Sequence, residues 1–309
     1  MKIYVLGAAA GGGFPQWNCN HPNSRRARQN DPAAKQRTQS SIAVSADGEN
    51  WFLFNTSPDL RKQINDNEIL HPKLELRHSP IQGAVLTNAD VDHVAGLLNL
   101  RESQPLRIYG TQRVLDVLAA NTIFNVLNPK FVKREAMKLE QPLELQKTDD
   151  SPAGITVTPF AVPGKVALWL EDESKGDNFG SVEEDTIALE VRDTDNKLCF
   201  FYVPACAEMT PELEDRLRGA PLVFFDGTLW TDDEMIRDGV GVKTASRMGH
   251  MSNSDPNGSI AALKDLDIKR KIFIHINTTN PILLDDSKER KQAEAAGWEV
   301  SYDGMQLEV

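Results

Sequence analysis

The chain is 309 residues long, 40% hydrophobic, and carries a formal net charge of −11, which excludes nucleic acid as the main partner because a phosphate-tracking surface needs clustered Lys and Arg. Its densest basic run, Arg25, Arg26, Arg28, Lys35 and Arg37, lies in a polar stretch expected to be solvated loop. Cys19, Cys199 and Cys206 are too few, and odd in number, for a disulfide framework; with no run near the ~20 apolar residues that span a bilayer and no secretory-signal pattern in MKIYVLGAAAGGG, a cytoplasmic location without a membrane partner is expected.

Short runs rich in β-branched and aromatic residues predict strands over 2–6, 41–44, 51–55, 83–86, 107–109 and 155–162. Others follow at 186–191, 198–203, 222–225, 271–276 and 306–309. Helical periodicity predicts helices over 111–120, 211–217, 259–266 and 287–296; Thr210 before Pro211, with Glu212 in the first turn, signals the second of these starts. Residues 20–39 read as a polar loop, and 149–151 and 172–177 as surface loops. None separates two cores, so one domain over 1–309 is expected. Strands come early in pairs, then alternate with helices, and strands close the chain. That order predicts an α/β fold with two sheets face to face and helices outside, a four-layer αββα sandwich. Gly11, Gly12 and Gly13 follow a strand, but the G-x-G-x-x-G spacing is absent and Pro15 breaks any helix there, which argues against a dinucleotide loop.

Two stretches carry chemistry. Residues 84–98, AVLTNADVDHVAGLL, run from a buried strand through a polar cluster into a helix. Asp offers hard oxygen and His an imidazole nitrogen, a mixture suited to Zn, Fe or Mn. Taken alone, the stretch also fits an Asp-rich helix start, with Asp92 as cap and His93 in the first turn. Residues 271–281, KIFIHINTTNP, place His275 inside an apolar run, where an imidazole must find a partner. A satisfied core histidine is one reading; the polar exit through Asn277 and Asn280 favours a functional rim.

Residues 87–96 resemble the H-x-H-x-D-H signature of the metallo-β-lactamase superfamily, with Asn88 and Asp90 at the two leading His positions. More closely, the whole chain resembles the PqqB family of pyrroloquinoline quinone (PQQ) biosynthesis proteins. The blocks that carry this resemblance are GGGFPQWNC from Gly11, RTQSSIA from Arg37, SPD from Ser57 and DGTLW from Asp226. MGH from Met248, HIN from His275, Asn280-Pro281 and DGM from Asp303 complete them.

The resemblance implies a metallo-β-lactamase-like fold in which one metal position is dismantled and the other survives. Asn88 and Asp90 replace histidines, Lys165 stands where many members carry a third, and Ala205 stands where a bridging aspartate would be. Asp92, His93 and His275 remain. Two imidazoles and one carboxylate form the facial triad of non-haem Fe(II) oxygenases, whereas a hydrolytic dinuclear zinc centre needs the lost ligands. Asp90 and Asn88 are further oxygen donors, so the coordination number stays open. Zn, Mn and Cu are able to substitute for Fe(II) on the same ligands.

His250 is implied as acid/base or substrate-orienting group, with Asp226 fixing its tautomer. Cys19, His21 and Ser24 occupy a place where the family often carries C-x-C-x-x-C for structural zinc. Only Cys19 and His21 are donors here, which weakens the case for that zinc and for the dimer contact it supports. Cys199 and Cys206 are read as packing residues. The implied reaction is iron- and O2-dependent hydroxylation of the tyrosine ring in a Glu–Tyr-derived precursor from a small peptide, in company with other proteins of the pathway. Arg37, Gln39, Ser40, Ser57 and Arg61 are candidate carboxylate anchors by motif position. The alternative is a carrier that moves PQQ or its precursor toward the periplasm; a phosphodiesterase-like hydrolase is the third reading.

Overall fold

Apolar runs such as Leu198–Val203 (LCFFYV) show no in/out alternation, the pattern of strands covered on both faces. In the computed structural model, which describes residues 1–176 and 178–309, both faces are indeed covered. Phe200 and Tyr202 pack into one apolar cluster, Phe201 and Val203 into another. Ile272 and Ile274 likewise face one way and Phe273 the other. Asp177, the end of the second expected loop, lies outside the described residues.

Among the described residues the strands form two seven-stranded sheets. The first comprises β1 (Lys2–Gly7), β2 (Ser41–Ser45), β3 (Trp51–Phe54), β4 (Ile81–Val85), β5 (Leu106–Thr111), β6 (Val132–Met137) and β14 (Gln306–Glu308). Their order is β14-β1-β2-β3-β4-β5-β6. The second comprises β7 (Leu143–Gln146), β8 (Pro152–Ala161), β9 (Ile187–Arg192), β10 (Leu198–Val203), β11 (Val223–Asp226), β12 (Lys271–Ile274) and β13 (Trp298–Val300). Their order is β13-β12-β11-β10-β9-β8-β7. Each sheet is parallel in one half, from β3 to β6 and from β10 to β13, and antiparallel in the other.

Three apolar clusters mark the interfaces between layers. The central one joins Val5, Phe52, Phe54 and Val85 of the first sheet to Leu189, Phe200, Phe224 and Ile272 of the second. Outside the first sheet lie α2 (Leu60–Asp66) and α4 (Gln112–Ala120), through Leu60, Val114 and Leu118. Outside the second lie α5 (Pro211–Leu217) and α8 (Lys288–Ala295), through Leu213, Leu217 and Ala293. The result is the expected αββα sandwich. Each fully buried Phe contributes roughly 1.5–3 kcal/mol, so the central layer is where docking of the sheets is decided.

Departures from expectation concentrate at edges and in short elements. Three strands that periodicity does not reveal, β6, β7 and β13, are all sheet edges. Edge strands are short or charged, as Lys133, Arg134 and Glu135 in β6 illustrate. The expected polar loop 20–39 contains α1 (Pro22–Arg28), whose buried residues are only Asn23, Ser24 and Ala27, too few to write an apolar stripe. Its basic run is not simply solvated: Arg26 pairs with Asp31 and Asp286, Lys35 with Asp285, and Arg37 is buried. The helix expected over 259–266 is limited to α7 (Ser259–Ala262). Helix α3 (Val91–Val94) has Asp90 at its N-cap position, without a side-chain capping bond, and Asp92 inside its first turn. Among the described residues no helix is long and apolar enough to cross a membrane.

At the edge where β4, β11 and β12 end, the two sheets are laced together. The loop after β1 crosses to the second sheet: Ala10 N–H donates to Ile276 O (2.8 Å) and Ile276 N–H to Ala8 O (3.0 Å). This lacing sets the frame of the site.

Candidate metal centre

His93 and Asp92 sit on the one-turn helix α3, and the turn holding that helix is glycine-dependent. Gly96 N–H donates to Thr56 O, and a Cβ at Gly96 would lie 2.1 Å from Ser57 O, so no side chain fits there. His93 O in turn accepts from Thr56 N–H (2.7 Å) and Thr56 Oγ1 (3.1 Å). His275 follows β12 directly rather than lying within the strand. Its φ of +59° is left-handed, a conformation that costs a non-glycine residue of order 1–3 kcal/mol and recurs at functional sites. Ile276, clamped between Ala8 and Ala10, fixes the next residue and so holds the bend.

The three side chains converge from different sheets. Asp92 Oδ2 lies 3.0 Å from His275 Nε2 and 3.9 Å from His93 Nε2. Donors on one tetrahedral ion at about 2.0–2.1 Å are about 3.3 Å apart, so these spacings bracket a coordination site. His93 Nε2 is buried with no hydrogen-bond partner, although such atoms are normally satisfied. A cation accounts for that orphaned lone pair, and the donor set fits a divalent metal. Burial holds the His93 pKa down at about 4, leaving the neutral imidazole a metal requires. Burial pushes the Asp92 carboxyl up, but the two imidazoles outweigh it and keep Asp92 low and ionised. At His275 burial opposes protonation, and the hydrogen bond and charge of Asp92 reverse it, raising the pKa.

The far nitrogens of both histidines are also fixed. Asn88 Oδ1 accepts from His93 Nδ1 at 2.7 Å and from Asp90 N–H at 3.0 Å. Asn88 is therefore brought behind His93 as its orienting acceptor, not into the donor cluster. Asp90 lines the same cavity and accepts from Leu168 N–H, without joining the clustered donors; burial, with the charge of Asp92, pushes its carboxyl up.

Asp226, His250 and His275 form a second cluster sharing His275. Asp226 Oδ2 accepts from His250 Nδ1 (2.6 Å) and Cys206 N–H (3.0 Å), and Oδ1 from Thr228 N–H (3.0 Å) and Thr228 Oγ1 (2.6 Å). A carboxylate so fully committed orients histidine rather than holding an ion. The Thr228 hydroxyl has one proton, drawn to Asp226, so its lone pairs face His275 Nδ1 at 2.9 Å. That leaves Nε2 as the His275 nitrogen turned to Asp92, hydrogen-bonded to it at 3.0 Å here and the one that would meet a bound cation. Thr228 is missed by sequence reasoning, although Asp-Gly-Thr after a buried strand is the signal of a side-chain-capped turn. The buried pair Asn253 and Asn280 secures the same turn, with Asn280 Nδ2 donating to Gly227 O (2.8 Å) and Asn253 Oδ1 (2.9 Å).

The donors open into a cavity of about 440 Å³ whose walls include Gln16, Lys165, Ala205, Met235, Lys243 and His250. None of the five expected carboxylate anchors lines it. Arg37 is buried and donates to the carbonyls of Lys35 (2.8 Å), Ser301 (3.1 Å) and Leu283 (3.3 Å). Gln39 bridges Asp59 and Gly12 N–H, Ser57 Oγ donates to Gln63 Oε1, and the Ser40 hydroxyl is buried without a partner. Arg61 is exposed on α2. The polar atoms of Arg37, Gln39 and Ser57 are engaged in holding loops, and all five residues lie off the cavity lining.

Cys19 and His21 are not part of a metal-like cluster among the described residues. His21 Nδ1 accepts from Asn23 N–H as the cap of α1, its Nε2 pairs with Asp238 (3.2 Å), and Ser24 bonds Thr278 (2.8 Å). Cys199 and Cys206 are buried.

With this geometry in place, the chain's likenesses are specific. The sequence profile of the β-lactamase superfamily domain matches residues 50–276. Coenzyme PQQ synthesis protein B of Gluconacetobacter diazotrophicus is 55% identical over 307 residues, covering 99% of each chain. The protein of the same name from Xanthomonas oryzae pv. oryzae is 52% identical over 307 residues, again with 99% of each covered. The crystal structure of Zn(2+)-bound PqqB from Methylobacterium extorquens matches with a TM-score of 0.93 and 47% identity, covering 100% of both chains.

Proposed function

Because the chain belongs to the coenzyme PQQ synthesis protein B family of the β-lactamase superfamily, we propose that it is a non-haem iron oxygenase hydroxylating the tyrosine ring of a Glu–Tyr-derived precursor. One observation carries this reading. Asp92, His93 and His275 converge as two imidazoles and one carboxylate, while Lys165 and Ala205 on the cavity wall offer no ligands for a second ion. Three protein ligands leave positions open for O2 and substrate. The zinc in the Methylobacterium extorquens relative supports a divalent ion in this fold, and Zn, Mn and Cu compete with iron for such ligands.

Bound Fe(II) would supply the electron needed to activate O2. The chain's own residues do the rest. Asp226 holds the proton on His250 Nδ1, so Nε2 is the free base, and His250 lines the cavity. There it takes the phenol proton as the ring becomes electron-rich. Thr228 keeps His275 in its metal-facing tautomer, and Asn88 does the same for His93. Met235, Met248 and Leu168 give the cavity apolar wall against which an aromatic ring would pack.

Hydroxylation puts one atom of O2 into an aryl C–H bond and releases the other as water, drawing two electrons and two protons from an added reductant such as ascorbate. The test is single turnover: anaerobic protein loaded with Fe(II), given a Glu–Tyr compound and ascorbate, then exposed to O2. A catechol product is expected. No catechol, with tight stoichiometric binding of finished PQQ, would replace the oxygenase by the carrier.

A further inference from the structure

One wall of the cavity carries charge that the metal centre does not use. Lys165 and Lys243 line it, and with Arg247 they converge on a single carboxylate, Glu171. Lys165 Nζ lies 2.7 Å from Glu171 Oε1, Lys243 Nζ 3.8 Å from Oε2, and Arg247 Nη2 3.0 Å from Oε2. Three cations share one anion, an excess of positive charge on a chain whose net charge is −11. Of the two carboxylates that line the cavity, Asp92 belongs to the metal donors, and Asp90 is near enough for the charge of Lys165 to act on it.

The cluster is built in rather than draped over the surface. The Glu171 side chain is 11% exposed and that of Lys165 16%. Hydrogen bonding by Arg247, and then by Lys165, holds the Glu171 carboxyl down at about 2, so it is a permanent anion. The Arg247 guanidinium lies 3.7 Å from the centre of the Phe179 ring, which fixes the third cation. Gly249 has φ +86°, and a Cβ there would lie 2.9 Å from Lys165 Cγ, so the lysine stem is laid against the residue preceding His250. Thr186, also on the cavity wall, donates its hydroxyl to Lys165 O at 2.9 Å. With three cations to one carboxylate, the cluster is not internally neutral. It leaves Lys243, 34% exposed, under-paired at 3.8 Å and facing the cavity.

We propose that Lys165 and Lys243, preset by Glu171 and Arg247, form the subsite that binds the carboxylates of the substrate and points its phenol toward Asp92, His93 and His275. The charge preference follows from the wall alone; the identity of the ligand as a Glu–Tyr-derived polyacid rests on the function proposed above. The cavity thus has an anion-binding wall facing a cation-binding floor. A substrate with carboxylates at one end and a phenol at the other enters in a single orientation, and neutral analogues are rejected.

The experiment is an equilibrium titration of the zinc-loaded full chain with PQQ, a tricarboxylic acid, and with its trimethyl ester. Lys243→Met and Lys165→Met should each raise the Kd of the acid about tenfold or more, as loss of a desolvated charge partner does. Lys243→Arg should restore most of the affinity, and rising salt should weaken the acid alone. The ester should bind weakly and equally to every variant. Zinc content per chain, unchanged in the variants, separates lost anion recognition from lost fold; Lys243→Met is the safer of the two on that count. Equal binding of acid and ester, or an acid Kd unchanged in both methionine variants, overturns the proposal. Lysine-dependent acid binding without any catechol from the Glu–Tyr compound removes the oxygenase reading and leaves the anion wall standing. Catechol formation with a KM unmoved by Lys243→Met does the reverse.

Discussion

The floor of the cavity and the N-terminal segment from Cys19 to Arg61 are both rich in polar side chains, but they direct them differently. In the N-terminal segment the partners are backbone groups and loop-building side chains: Arg37 satisfies three carbonyls, and Gln39 bridges Asp59 to a glycine amide. On the floor, each histidine has one nitrogen fixed by a neutral or anionic acceptor and the other turned to the cavity, as in Asn88–His93–Asp92. Motif density does not separate the two regions. What separates them is whether imidazole nitrogens and a carboxylate turn together toward the cavity, as Asp92, His93 and His275 do.

The largest test of that distinction removes a floor ligand. His93→Ala or His275→Ala should reduce bound metal from near one ion per chain to under a tenth, read by elemental analysis, with far-UV dichroism unchanged. Metal retained in both variants would dissolve the contrast.

Glu234 is the boundary case, buried like Arg37 yet with Oε1 unpartnered like His93 Nε2. Burial pushes its carboxyl up to about 7. The native state therefore keeps this proton up to about pH 7, while an unfolded chain loses it near 4.5. Between those values the native state binds more protons, so stability falls as pH rises, by up to ~3 kcal/mol. Glu234→Gln should flatten that slope in urea titrations and leave stability at pH 4 unchanged. An unaltered slope would assign the carboxyl another partner.

Arg37→Met should cost about 2 kcal/mol, because buried carbonyls of Leu283 and Ser301 lose their donor. Metal content and PQQ affinity should not move; a change in either would return Arg37 to the site. The smallest effect is at Thr228. Thr228→Val should weaken metal affinity about tenfold through the orientation of His275, measured by competition with a chelator, while Thr228→Ser should restore it.

The layered fold was legible because its central strands are buried on both faces and read as unbroken apolar runs. The edges were not: Lys133, Arg134 and Glu135 in β6 mask the alternation, and β13 has only three residues. Asp92, His93 and His275 stood out because ionisable residues interrupt or end apolar strands. Lys243 and Arg247 could not be found this way. Lys243 sits on a loop and Arg247 in the single 3-10 turn Ser246–Met248, and nothing local records that Glu171, more than seventy positions earlier, will lie between them. Arg37 and its neighbours misled for the converse reason, since a buried loop-building arginine and a substrate arginine are identical in sequence.

The floor ligands come from both sheets, two from α3 after β4 and one directly after β12. An ion held there works as a rivet across the sandwich, present only while the two halves stay closed. Each tenfold rise in free ion above its Kd adds about 1.4 kcal/mol against unfolding. Thermal resistance should therefore climb with the logarithm of metal supply, and a chelator should loosen the whole molecule, not just silence its chemistry.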